Sequence, residues 1–120
     1  MATNAGEIVQ RYFQAFGSGD GATARSLLKD DLYFKGPIDE FHNADDLMSS
    51  LQKLAQIVKG VEPRKTFVDG DDVCMIYDLV TNTPAGTSAV AEWHHVENGK
   101  IAAIRVYFDA RPFAAMFEKH

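Results

Sequence analysis

The sequence is poor in several features that would mark a specialised class of protein. It has a single cysteine, Cys74, so no disulfide bond can form within the chain, and this residue is interpreted as a small buried hydrophobe. No segment reaches the roughly 18 apolar residues that span a membrane, and the first residues show no basic stretch before an apolar run. We therefore expect a cytoplasmic protein without a membrane partner.

Positive charge is also scarce. Twelve lysine and arginine residues stand against seventeen aspartate and glutamate residues, which gives a formal charge of -5 and a pI near 5.2. A surface of this sign repels phosphate groups, so we expect no nucleic-acid partner.

Motifs for cofactors and metals are missing as well. The chain has no glycine-rich phosphate-binding loop, and its histidines and cysteine lack metal-ligand spacing. His94 and His95 are adjacent in a predicted strand, where neighbouring side chains point to opposite faces, so they cannot share one ion. We expect neither a metal nor a cofactor, and any chemistry must come from ordinary side chains.

What the sequence does contain is the composition of one folded domain. Its 120 residues are 46% hydrophobic and 24% charged, which is ordinary for a globular protein of this size, and we assign residues 1–120 to a single domain. Three segments combine a polar N-cap residue, apolar residues at helical spacing and a stop signal. These predicted helices run from Asn4 to Gly17, from Asp20 through Lys29, and from Asn43 to Gly60.

From residue 61 onward the apolar pattern becomes that of strands. Turn signals at 69–71, 82–86 and 98–99 separate four β-rich runs, which is typical of an antiparallel meander. Helices followed by such a sheet predict an α+β fold, with the N-terminal helices covering one face of a curved antiparallel sheet. A last helical turn after Pro112 is predicted to anchor the chain end through Phe113, Met116 and Phe117.

Two segments near the C-terminus resemble a known family. Glu97-Asn-Gly-Lys-Ile101, followed by Arg105-Val-Tyr-Phe-Asp109, is similar to the "DGKI…YFD" ending of the SnoaL-like branch of the nuclear transport factor 2-like superfamily, and Tyr77-Asp78-Leu79 supports the likeness. The resemblance covers nearly the whole chain and implies a cone-like half-barrel around a ligand cavity. Because this branch includes polyketide cyclases, limonene-epoxide hydrolase and ketosteroid isomerase, the resemblance identifies the fold better than the reaction.

Two of these reactions are disfavoured by single positions. Where limonene-epoxide hydrolase has an arginine two residues before its first aspartate, this chain has Ile76, which disfavours that reaction unless Arg105 serves in place of the arginine. Where ketosteroid isomerase has its aspartate base before a proline, this chain has Gly36.

The turn at Asn98-Gly99 also predicts which side chains share a face of the sheet. If the turn is of type I′, residues whose numbers sum to 197 face each other, so Glu92 lies opposite Arg105 and Val90 lies opposite Tyr107. A looser pairing of Thr81 with Thr87 brings Asp78 beside Val90 and so adds Asp78 to that face, although a slip of one residue would send it to the other side.

Asp109 and Asp78 are the candidate catalytic residues. Asp109 ends the last predicted strand on that face, where aromatic neighbours can raise the pKa of a carboxyl group and suit it to acid or base catalysis. The other interpretation is structural, since Asp109 can cap the terminal helix or pair with Arg111. Asp78 is expected to tune the pKa of Asp109 or to position water.

The remaining candidates are expected to line the ligand cavity, and the interpretation of Arg105 with Glu92 is an internal ion pair that shapes it. These ligand-binding residues are Tyr12, Phe16, Phe41, Val90, Glu92, Arg105 and Tyr107.

The predicted function is acid/base chemistry on a small, apolar, oxygenated ligand, such as cyclisation, isomerisation or epoxide opening. The alternative is a module that binds a ligand or a partner without catalysis. In either case the apolar convex face of the sheet, which carries Trp93, predicts a homodimer.

Overall fold

The computed structural model describes residues 4–113, which form three helices and one six-stranded sheet. The strand order is β2-β1-β6-β5-β4-β3, and every neighbouring pair is antiparallel except β1 and β6, which run parallel. The α+β prediction is confirmed, although the curved sheet is mixed rather than wholly antiparallel. The elements are α1 (Ala5–Gly17), α2 (Gly21–Ser26), β1 (Leu28–Lys35), β2 (Glu40–Phe41), α3 (Ala44–Ala55), β3 (Val58–Asp69), β4 (Asp72–Thr81), β5 (Thr87–Glu97), β6 (Lys100–Tyr107) and a 3-10 turn at Arg111–Phe113.

The helices begin where the sequence predicts. The side chains of Asn4, Asp20 and Asn43 each accept a hydrogen bond from the backbone N–H three residues later, which satisfies a donor that the helix itself leaves free. The second helix is shorter than predicted, because Leu28 already pairs with Ile101 of β6 and the backbone there is extended. No helix among the described residues is long and apolar enough to cross a membrane.

The core lies between the helices and one face of the sheet. Helix α1 contacts β3 to β6, whereas α3 contacts β1 and β2. Phe113 is buried and its ring meets that of Phe108 edge-on at 5.6 Å. The predicted anchor residues Met116 and Phe117 lie outside the described residues. The most deeply buried large apolar side chains are Ile8, Val9, Leu28, Leu32, Leu47, Val73, Ile101 and Ile104.

The β5–β6 hairpin departs from its predicted register after two pairs. Asn98 and Gly99 have φ angles of 52° and 80°, as a type I′ turn requires, and Val96 faces Ile101 as predicted. A bulge then shifts the register, so that His95 rather than His94 lies opposite Ala103.

The bulge reverses which side of β6 faces the core. With it, Ile101 and Ile104 are both fully buried, although they are three residues apart in a strand. Burying an isoleucine side chain is worth about 1.5–3 kcal/mol, whereas burying an arginine without a partner is costly. The prediction that Arg105, Tyr107 and Asp109 face inward is therefore wrong.

The β4–β5 hairpin is also one residue away from its predicted register. Val80, not Thr81, lies opposite Thr87, because Thr81 closes the loop instead by donating its N–H to the carbonyl of Gly86 at 3.0 Å. This register turns Val73, Met75 and Tyr77 toward the core and Asp78 away from it. The predicted pairing of Asp78 with Val90 is wrong, and Tyr77 takes that position.

Candidate active site

A cavity of about 690 Å³ lies between the sheet and helices α1 and α3. Its exposed rim includes Ile38 and Asp39 of the β1–β2 loop, with Asp46 and Lys53 of α3. Its wall is mainly apolar and aromatic, as in typical small-molecule sites. The aromatic side chains that line it are Tyr12, Phe13, Phe16, Phe34, Phe41, Tyr77, Phe108 and Phe113.

The buried part of this cavity contains a carboxylate. Glu92 of β5 is 7% exposed and accepts a hydrogen bond from the Tyr77 hydroxyl, with 2.7 Å between that oxygen and Glu92 Oε1. Its other oxygen, Oε2, lies 2.7 Å from Nε2 of His94, which is fully buried. Among the described residues that line the cavity, Glu92 is the one charged group away from the exposed rim.

The hydrogen bonds of His94 place one proton between its ring and Glu92. Nδ1 lies 3.2 Å from the backbone carbonyl of Val73, and because a carbonyl can only accept, Nδ1 carries a hydrogen. The 2.7 Å contact between Nε2 and Glu92 then needs a second proton, held either by the ring or by the carboxyl group. The pair is thus neutral as a whole, which makes its burial tolerable.

Two buried tyrosines face the same region as neutral hydroxyls. Burial, and next the negative charge of Glu92, raise the pKa of Tyr77 and of Tyr12 far above the usual range. Tyr77 donates to Glu92, whereas the Tyr12 hydroxyl has no hydrogen-bond partner among the described residues. Tyr12 therefore has a donor available to a ligand.

Phe13 packs the cluster from the helix side. Its ring meets those of Tyr77 and His94 edge-on, with centroids 5.3 Å and 5.5 Å apart, and it also contacts Tyr12. Such contacts restrict the rings that flank Glu92 to one arrangement.

Five of the predicted ligand-binding residues line the cavity. They are Tyr12, Phe16, Phe41, Val90 and Glu92. Tyr12 and Phe16 lie on the predicted apolar face of the first helix, and Val90 and Glu92 follow the predicted alternation along β5.

Arg105 and Tyr107, the other two, lie on the opposite face of the sheet. The Arg105 guanidinium stacks on the rings of Tyr33 and Trp93, at 5.3 Å and 5.9 Å, and Tyr107 is 56% exposed. The predicted ion pair of Arg105 with Glu92 is wrong, since the bulge in β6 separates them.

Asp78 lies on this outer face as well. Its Oδ2 accepts a hydrogen bond from Nε of Arg64 on β3 at 2.9 Å. Carboxylates near the protein surface commonly form ion pairs of this kind.

Asp109 follows the end of β6 and is exposed. It accepts hydrogen bonds from the side chain of Arg111, which hold the pKa of its carboxyl group down at about 2. This geometry agrees with the structural interpretation of Asp109, in which it pairs with Arg111. The prediction that Asp78 and Asp109 converge on one cavity wall is wrong.

Sequence reasoning missed the Glu92–His94 pair, although a signal for it was present. Residues two apart in a strand point to the same face, so an inward Glu92 implies an inward His94 beside it. His94 and His95 do face opposite sides, and His95 pairs instead with Asp72 at 3.0 Å between Nδ1 and Oδ1. No group of three metal-ligating side chains occurs within residues 4–113.

Comparison with known families agrees with this architecture. The family model of the SnoaL-like domain matches residues 9–104. The chain belongs to the SnoaL-like family. A comparison with curated protein sequences finds no significant match.

Solved structures of SnoaL-like and related proteins share the fold. An NTF2-like protein of unknown function from Cytophaga hutchinsonii is 29% identical, with a TM-score of 0.82 over 94% of this chain and 96% of that one. An LEH-like epoxide hydrolase from M. tuberculosis is 22% identical, with a TM-score of 0.73 over 87% of this chain and 81% of that one. A proposed polyketide cyclase from Sinorhizobium meliloti is 17% identical, with a TM-score of 0.77 over 83% and 93%. At the last two identities the likeness concerns the fold alone.

Proposed function

We propose that this SnoaL-like protein is a cofactor-independent enzyme that transfers protons on a small, apolar, oxygenated substrate, with Glu92 as the acid/base. The observation that carries the proposal is a buried carboxylate at the end of an aromatic cavity, hydrogen-bonded by Tyr77 and His94. This role replaces the one expected of Asp109 and Asp78, which lie outside that cavity.

The chemistry follows from the proton between Glu92 and His94. With the proton on Nε2, Glu92 is a carboxylate and can take a proton from the carbon next to a substrate carbonyl. The electron pair of that C–H bond forms an enolate, whose oxygen accepts a hydrogen bond from the Tyr12 hydroxyl. Return of the proton to another carbon gives isomerisation. Attack of the enolate carbon on a second carbonyl, with the proton passing to the new alkoxide, gives cyclisation.

His94 acts as a positioning residue in this scheme. Its Nδ1–H is fixed by the Val73 carbonyl, so the ring presents Nε2 to Glu92 in one orientation. The fold is compatible with this class of reaction, since proteins that share it include a proposed cyclase, an epoxide hydrolase and a proposed ketosteroid isomerase from Kribbella flavida.

A general test follows the exchange of carbon-bound protons. The α-protons of 2-tetralone, an apolar ketone that fits the proposed class, are followed by NMR in D₂O with and without the protein. We expect the wild type to speed the exchange and Glu92→Gln to slow it at least about a hundredfold, the usual scale for loss of an acid/base group. Glu97→Gln, on the exposed end of the same strand, is the matched control and should match the wild type. Equal rates in Glu92→Gln and wild type would remove Glu92 from the mechanism.

The second candidate is a module that binds ligands without turnover, and the apolar wall of the cavity favours it. A ligand that binds the folded chain raises its apparent stability. Thermal stabilisation by 2-tetralone without any acceleration of exchange would support this second function over the first.

The outer face of the sheet is the proposed surface for a homodimer. Phe67, Cys74, Trp93 and Arg105 form one row across β3 to β6, and Ile76, Ala91 and Tyr107 form the next. Trp93 and Tyr107 are 42% and 56% exposed, which is unusual for large side chains in one patch. Light scattering should give twice the chain mass of 13.3 kDa, and Tyr107→Asp should reduce it to one chain. A wild type of single-chain mass would contradict the dimer.

A further inference from the structure

A second cavity lies behind the first. It is an open groove of about 1030 Å³ between α1 and β3. Its floor is apolar and includes Val58, Pro63, Val68 and Met75. Tyr12 of α1 lines the first cavity and not the groove.

The two cavities share part of their walls. Phe13, Phe16 and Val61 line both of them, so these three side chains form the partition between cavity and groove. All three are half-buried.

The members of this partition differ in what else they do. Phe13 packs against Tyr12, Tyr77 and His94, so its removal would disturb the cluster around Glu92. Phe16 lies one turn further along α1 and has no aromatic contact among the described residues. It can therefore be reduced in size without loss of those packing contacts.

We propose that Phe16 and Val61 determine the substrate range, restricting the site to compact apolar molecules and excluding long alkyl chains. The groove would continue the first cavity if the side chains of the partition did not separate the two. Once the partition is reduced in size, the groove would take the distal end of an elongated ligand whose oxygen lies at Tyr12 and Glu92. This inference rests on the proposed function, because it needs the first cavity to bind a ligand.

The physical basis is the gain in affinity with each buried methylene. Within an apolar cavity each added CH₂ strengthens binding by about fourfold, and the gain stops when the cavity is full. A chain that meets the partition must fold back or remain in water. Without the Phe16 ring, the same chain can continue over the apolar floor of the groove.

The experiment measures dissociation constants for a series of straight-chain ketones, from 2-heptanone to 2-tridecanone. The affinity of the wild type should rise with ketone chain length up to a limit. Beyond that limit, the affinity should stay constant or fall. Phe16→Ala should move that limit by about two to four methylenes and bind the longest ketone at least tenfold more tightly. Met48→Ala is the control: it shortens a half-buried side chain of α3 that lines neither cavity, so it should keep the wild-type limit.

Val61→Ala is the second variant, and it tests the proposal if Phe16→Ala does not fold. We expect it to shift the length limit in the same direction. An unchanged length limit in these variants would overturn the partition while leaving the ligand cavity intact. Failure of wild type to bind any ketone would overturn both the cavity and the partition. The two failures are therefore distinguishable.

Discussion

The two adjacent histidines of β5, His94 and His95, each pair with a carboxylate, and they do so on opposite faces of the sheet. Inside, His94 contacts Glu92 at 2.7 Å and is 0% exposed, and outside, His95 contacts Asp72 at 3.0 Å with its side chain 39% exposed. Each pair joins one carboxylate to one imidazole ring. The difference lies in exposure to solvent, which screens the outer pair far more than the buried inner one.

The comparison extends to the other carboxylates considered from the sequence. Asp78 with Arg64, and Asp109 with Arg111, resemble the outer pair, since each is an ion pair open to solvent. Only Glu92 among these is both buried and next to a cavity. Burial thus distinguishes the carboxylate proposed as the acid/base from those that form ion pairs at the surface.

The largest expected effect comes from breaking the inner pair. His94→Ala leaves Glu92 without its partner and should lower the free energy of unfolding by about 3–5 kcal/mol. His95→Ala should cost less than about 1 kcal/mol, as for exposed pairs. Urea unfolding of both variants measures the difference. Similar losses of unfolding free energy in the two variants would contradict the described difference between the inner and outer faces of the sheet.

A smaller effect is expected at the Tyr77 hydroxyl. Tyr77→Phe removes the donor to Glu92 Oε1 and should cost about 1–3 kcal/mol, the range for a buried polar group that loses its hydrogen bond. Tyr107→Phe, on the outer face, should stay within about 0.5 kcal/mol of wild type. Equal behaviour of the two tyrosines in urea unfolding would contradict this.

The smallest effect concerns the pH dependence of Asp109. Its pKa is about 2 in the folded chain, below its usual value of 3.8, because Arg111 donates to the carboxylate. The pair therefore contributes its stability in full above about pH 4 and loses it as the pH falls through about 2. Asp109→Asn should lower the melting temperature slightly at pH 7, where the pair is intact, and this difference from wild type should disappear as the pH falls to about 2. A large loss at pH 7 would indicate a buried role for this group.

The local structure follows from the sequence more closely than the site does. The N-caps and the turns depend on residues next to one another, so Asn4, Asn43 and Asn98-Gly99 were sufficient to predict them. The alternation along β5 also holds, which is why Val90 and Glu92 lie in the cavity as predicted.

The errors come from two places where a single residue changes the register. The bulge in β6 is favoured by the joint burial of Ile101 and Ile104, and no turn signal marks it. The register beyond the 82–86 loop depends on how Thr81 closes that loop. Each shift by one residue exchanges the two faces, which moved Asp78 and Arg105 outward and brought Tyr77 beside Glu92.

The exchange of 2-tetralone α-protons in three charge-neutralising variants tests the central claim most directly. Glu92→Gln removes the inner carboxylate, and Asp78→Asn and Asp109→Asn remove the two outer ones that the sequence favoured. We predict that Glu92→Gln alone loses the acceleration, by at least about a hundredfold, while the other two retain wild-type rates. Loss of exchange in Asp109→Asn or Asp78→Asn, with Glu92→Gln unaffected, would contradict the assignment of the chemistry to the inner face.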